Sequence, residues 1–179
     1  MSKWKFPIQG ECSGIPLKGH LGAFLAKRKY NLHGGIDLYV KDGEPVYSVE
    51  AGKIVDTDQF TGKAIGSDWW NDTWYCLIEE ETGVVCYGEI KLSKELKLGD
   101  HVSQGQFLGN VVKVLPEGKE RPDIEGHSCS MLHIELYNHG RHTPSDGPDD
   151  VKILRDPTPF LLEASGCPKK MLHGKDYNG

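Results

Sequence analysis

Two stretches of this chain carry side chains that can hold a metal or move a proton. In NLHGGIDLYV, His33 and Asp37 stand four residues apart. On an extended strand an even spacing puts both on one face, and Gly34 and Gly35 permit close backbone approach. In SMLHIELY, Met131, His133, Glu135 and Tyr137 share one face, while Leu132, Ile134 and Leu136 form the opposite, core-facing set. Imidazole nitrogens and carboxylate oxygens are zinc donors, and a catalytic zinc site uses three protein ligands and leaves one position open. Taken singly, each stretch reads better as turn histidines or an ordinary half-buried strand than as part of a metal site.

The elements that must position these residues read as short strands. IDLYV, VYSV and KIVDT are separated by the turn signals KDGEP and EAG. WYCLIEE and VVCYGE flank ETG as a hairpin, KLGDHVSQGQFLGNVVKV alternates turn and strand, and MLHIELYN is a further strand. Three loops interrupt them, at 57–73, 116–129 and 138–150. Only FLLEA near 160–164 suggests a helical turn. The expectation is an all-β chain, an antiparallel β-sandwich with long loops, forming one domain over 1–165 with a loose tail at 166–179. Ile36, Leu38, Val46, Ile54, Leu77, Val85, Val102, Leu108, Leu132, Ile134 and Leu136 are the expected core.

Composition narrows the function. At 179 residues, 37% hydrophobic and 26% charged, the chain is long enough to bury a core, and 22 Gly with 10 Pro favour turns over long helices. The net charge of −5, without a basic stripe, argues against nucleic acid. No apolar run reaches the roughly 18–20 residues of a membrane span. The start MSKWKFPIQG lacks the apolar segment of a signal peptide. The expected location is therefore cytoplasmic, although an exported chain already stripped of its leader would read the same way. Five cysteines without a CxxC spacing predict free thiols, with Cys12 and Cys167 the pair best placed to form an exception. A short turn at Glu81–Gly83 sets Cys76 opposite residues near 87–89 rather than opposite Cys86.

Several of these stretches together resemble the lysostaphin-type (LytM-domain) zinc peptidases. HGGIDLYVKDGEPVYSVEAGKIV is similar to that family's His-x-x-x-Asp pair, Gly-x-Pro-Val turn and Ala-x-x-Gly-x-Val strand. LKLGDHVSQGQFLGNV resembles its Gly-Asp-x-Val-x-x-Gly-Gln-x-x-Gly hairpin, LHIELY the strand bearing its third ligand, and DPTPFLL its closing segment. The resemblance implies the open β-sandwich called the duplicated hybrid motif, one Zn²⁺ held by His33, Asp37 and His133, and peptides of the peptidoglycan type as substrate. It also exposes two departures. Glu89 and Met131 stand where the family has its two catalytic histidines, and methionine can neither take a proton nor donate a hydrogen bond.

Two readings follow. In one, the chain is a zinc-dependent peptide hydrolase in which Glu89 is the general base, with His127 or His142 from the loops on the oxyanion. In the other, it is a catalytically inactive zinc-binding module that engages a partner. Glu135, two residues beyond His133, is a candidate to orient that ligand from behind. Trp69 and Trp70 either floor a groove or pack their loop onto the sheet.

Overall fold

The computed structural model describes residues 3–28, 31–118, 130–144 and 152–174. Their strands, in chain order, are β1 (Ile15–Pro16), β2 (Ile36–Val40), β3 (Pro45–Tyr47), β4 (Gly52–Thr61), β5 (Thr73–Glu80), β6 (Val84–Leu92), β7 (His101–Val102), β8 (Phe107–Val111), β9 (Ser130–Tyr137), β10 (Leu154–Arg155) and β11 (Met171–Leu172). Helix is confined, among the described residues, to α1 (Thr158–Glu163) and a 3₁₀ turn at Lys63–Ile65. None is long and apolar enough to cross a membrane.

Nine strands form one antiparallel sheet whose main path runs β10-β9-β6-β5-β4-β7, with β2 beside β9 and β3 attached through β8. The sheet forks along β6. Val84–Gly88 pair with β9, whereas Ile90–Leu92 pair with β8. Glu89 lies at the fork, paired with neither strand, and its carbonyl accepts the Val112 amide at 2.9 Å. The register against β5 shifts at the same place, between Trp74 and Tyr75. Glu89 therefore occupies a bulge, with φ of 61°. Bulges re-aim side chains, and a non-glycine residue in this region signals a locally constrained backbone.

Strand alternation divides the apolar residues between two faces. Ile36, Leu38, Val85, Tyr87, Leu132, Ile134 and Leu136 enter the main core with Trp4, Phe6, Ile8 and Leu161. Leu77, Val84, Cys86, Tyr137 and Leu154 form a smaller cluster. All eleven expected core residues are buried. Cys76 faces Tyr87 and Leu77 faces Cys86, so the two hairpin thiols belong to different clusters. Cys12, Cys76, Cys86 and Cys167 are free, and the exception suggested for Cys12 with Cys167 does not form. Cys129 lies outside the described residues.

Three details differ from the sequence reading. His33 is not on a strand, because β2 begins only at Ile36 and Gly34–Gly35 turn the chain into it. The loop expected over 57–73 is shorter, since β4 runs to Thr61 and β5 starts at Thr73. Thr61 Oγ1 and Thr73 Oγ1 lie 2.7 Å apart and Thr61 Oγ1 donates to the Asn71 carbonyl at 2.7 Å, polar pairing that lets hydrophilic residues extend the ladder. The segment beyond Gly166, read as a loose tail, pairs through Met171–Leu172 in parallel with β1.

Candidate metal centre

β2 and β9 are paired neighbours, with Asp37 directly opposite His133. This register fixes two of the three candidate ligands. The Gly34–Gly35 turn brings the third, His33, back over them. His33 Nε2 lies 3.1 Å from Asp37 Oδ1 and 3.2 Å from His133 Nδ1, and His133 Nδ1 lies 2.9 Å from Asp37 Oδ1. All three residues are buried. They form a group of donors whose atoms all fall within 4.8 Å of one another. For tetrahedral zinc with bonds of about 2.0–2.1 Å, two ligand atoms stand about 3.3 Å apart. The observed triangle is close to one face of that tetrahedron.

The rear of each ligand is engaged. His33 Nδ1–H donates to the Ala23 carbonyl at 2.9 Å, which leaves the Nε2 lone pair on the inner side. His133 Nε2–H donates to Glu135 Oε1 at 2.9 Å, which leaves Nδ1 inward. Arg28 Nη2 donates to Asp37 Oδ2 at 3.0 Å, so Oδ1 alone faces the two imidazoles. Backing of this kind sets the tautomer and ring orientation of metal-binding histidines. The glycines are required by it: a Cβ at Gly35 would lie 2.1 Å from the Ile134 carbonyl and 2.9 Å from Glu135 Cγ, and one at Gly34 3.0 Å from Glu135 Oε1. The Phe60 ring lies 5.7 Å from that of His133, and a Cβ at Gly88 would meet Phe60 at 2.6 Å.

The electrostatics suit a cation. Burial alone would raise the Asp37 carboxyl, but His33 and His133 outweigh it and hold the group well below its usual range. Burial likewise opposes charge on His133, yet its hydrogen bonds to Asp37 and Glu135 raise it well above an ordinary histidine. The site thus favours positive charge at its centre, and the donor set fits a divalent zinc ion.

Glu89 stands beside this triangle, since Gly88 pairs with His133. Alternation after Val85 and Tyr87 would send Glu89 into the main core, but the bulge breaks it. The carboxyl instead lies within electrostatic reach of Asp37, His133 and Arg28. Its Oε2 is shut off from water and has no hydrogen-bond partner among the described residues. Burial first, and Asp37 second, push Glu89 up to about 8, against His133 and Arg28.

The remaining candidates divide. Glu135 is buried against His133, and Met131 is half-buried on the His133 face, opposite Tyr39. His142 is exposed, and no hydrogen bond or ion pair among the described residues ties it to His33, Asp37 or His133. His127 lies outside the described residues. Trp69 and Trp70 are exposed, 57% and 40%, and stack edge-on with each other rather than onto the sheet. Arg28 and Tyr137 join the site unforeseen. Tyr137 was visible as the next residue on the His133 face, whereas nothing in the sequence marks Arg28.

Comparison with solved structures gives the same architecture. The catalytic domain of the antimicrobial peptidase lysostaphin from Staphylococcus simulans is 21% identical over 79% of this chain and 89% of that one, with a TM-score of 0.52. A zinc-containing peptidase from Vibrio cholerae is 20% identical, TM-score 0.51, over 82% of this chain but only 41% of its own length. The SpoIIIAH–SpoIIQ complex contains a chain 18% identical with a TM-score of 0.53, covering 88% of this chain and 99% of that one. No curated protein matches. The model of peptidase family M23 matches residues 31–144, more than half of the sequence and the span that holds His33, Asp37, Glu89 and His133, so the chain belongs to peptidase family M23.

Proposed function

We propose that this member of the family is a zinc-dependent peptide-bond hydrolase acting on peptides of the peptidoglycan type, with His33, Asp37 and His133 as ligands and Glu89 as general base. What supports the reading is the pairing of two features: three inward donor atoms at 2.9–3.2 Å, and a Glu89 carboxyl, carried on a strand bulge, within electrostatic reach of Asp37 and His133. When bound, zinc supplies Lewis-acid polarisation of the scissile carbonyl and activation of water. The Glu89 carboxylate would accept a proton from the attacking water and return it to the departing amine. Asp37 and the two histidines bind and orient, and Phe60 excludes water from one side of His133.

Glu89→Gln keeps the shape and removes the base. With zinc content verified by metal analysis, turnover of purified peptidoglycan should fall by about 10²–10⁴ in kcat. Zinc-loaded native protein without turnover on any cell-wall peptide would sink the hydrolase. One observation favours a second reading. Met131 occupies the position beside His133 with a side chain incapable of acid–base work, as expected of a zinc-containing binding module. Such a module would bind its partner equally well after Glu89→Gln.

A further inference from the structure

We infer that Tyr137 is a positioning residue for His133, acting through Glu135. The inference rests on the zinc reading above and extends it one residue outward.

His133, Glu135 and Tyr137 alternate along one face of β9, and all three are buried. Glu135 Oε1 receives the His133 Nε2–H, and Glu135 Oε2 receives the Tyr137 hydroxyl. A carboxylate anchored at one oxygen can still turn about its side-chain torsions. Anchored at both, its plane is set, and so is the imidazole that leans on it. Tyr137 is itself well fixed. β9 is paired there on both sides, with Val84 and Leu154 opposite Tyr137, and the Arg141 guanidinium lies 5.4 Å from the ring centre. The ring packs with Leu77, Val84, Cys86 and Leu154, surroundings that would accept phenylalanine. The hydroxyl is therefore not what the packing needs; its contact with Glu135 is. Gly34 and Gly35 complete the device by leaving the space that the Glu135 side chain fills.

The test compares zinc affinity, by competition with a chromophoric chelator, in native protein and in Tyr137→Phe, Glu135→Gln and the double variant. The visible spectrum of the Co²⁺-loaded forms reports ligand geometry. Loss of an outer contact of this kind weakens metal binding by about 10–100-fold. Tyr137→Phe should do so, and should alter the cobalt bands, while the melting midpoint of the metal-free protein falls by only the few degrees expected for one lost buried hydrogen bond. Because Tyr137 acts through Glu135, the double variant should bind zinc no more weakly than Glu135→Gln alone. Replacing Tyr137 by p-aminophenylalanine, which restores a donor, should recover affinity. It also decides the matter if Tyr137→Phe does not fold: a folded donor-bearing variant with weakened zinc binding would overturn the inference. Unchanged affinity in Tyr137→Phe, or additive losses in the double variant, would overturn it while leaving the zinc site standing. A native chain that takes up no zinc would remove both.

Discussion

Glu89→Gln should change how the metal-free protein's stability depends on pH. The native carboxyl titrates near 8 against about 4.5 when unfolded, so between those values the folded chain holds a proton that the unfolded chain has released. A carboxyl raised in this way contributes stability below the unfolded value, and that contribution is lost as pH rises toward 8. One proton corresponds to about 1.4 kcal/mol per pH unit, or at most about 3–4 kcal/mol between pH 5 and pH 8. Glu80 contributes in the same direction, because burial, foremost, and Glu50 hold it well above its usual range. Comparing the native protein with the variant isolates Glu89. Urea unfolding of chelator-treated protein at pH 5, 6, 7 and 8 should give two curves that meet near pH 5, with the variant the more stable at pH 8. Adding Zn²⁺ should flatten the native curve, since a neighbouring divalent cation favours the charged carboxyl. Parallel curves would refute the idea that the bulge sets the Glu89 carboxyl, one oxygen shut off from water, within reach of the Asp37 charge.

Gly35→Ala should destabilise the fold by roughly 2 kcal/mol or more and weaken zinc binding with it, both measurable by melting with and without metal, because the new Cβ collides with β9 backbone. Glu80→Gln should be near-neutral at pH 7, whereas Glu80→Leu should cost about 1–3 kcal/mol in chemical unfolding, since the buried Tyr87 hydroxyl loses its acceptor. Cys76 and Cys86 should resist thiol reagents until the protein unfolds. Cys12, pushed up by burial to about 11, should react slowly at pH 8, and mass spectrometry before reduction should find no bridge among the described cysteines.

Much of this molecule is legible in its sequence because strands leave a period of two. The alternation Leu132, Ile134, Leu136 against His133, Glu135, Tyr137 marks both faces of β9 correctly, and it puts Glu135 where it hydrogen-bonds His133. What escaped depends on pairing partners rather than on local pattern. Alternation alone sends Glu89 the wrong way, since its direction is set by a fork whose other arms lie some twenty and forty-five residues downstream. His33 was read as a strand residue because Gly-Gly before an apolar run does not say whether it bends or extends. Ala23 assists His33 through a backbone carbonyl, for which any residue type would serve. Arg28 precedes Asp37 by nine positions in an irregular segment whose path no periodicity describes.

The β2–β9 pairing has a consequence for the order of assembly during synthesis. His33 and His133 touch across one hundred positions, and β9 enters between β6 on one side and β2 with β10 on the other. Closing so long a segment costs about 4 kcal/mol in chain entropy beyond the length-independent part. At about 5–20 residues per second, the two N-terminal ligands leave the ribosome roughly 5–20 s before the third. During that interval the nascent chain offers His33 and Asp37 without His133, without Glu135 behind it, and without the strand that joins β2 to β6. On the zinc reading proposed above, metal capture would be coupled to insertion of β9, and zinc would lock in a late central strand rather than nucleate the first.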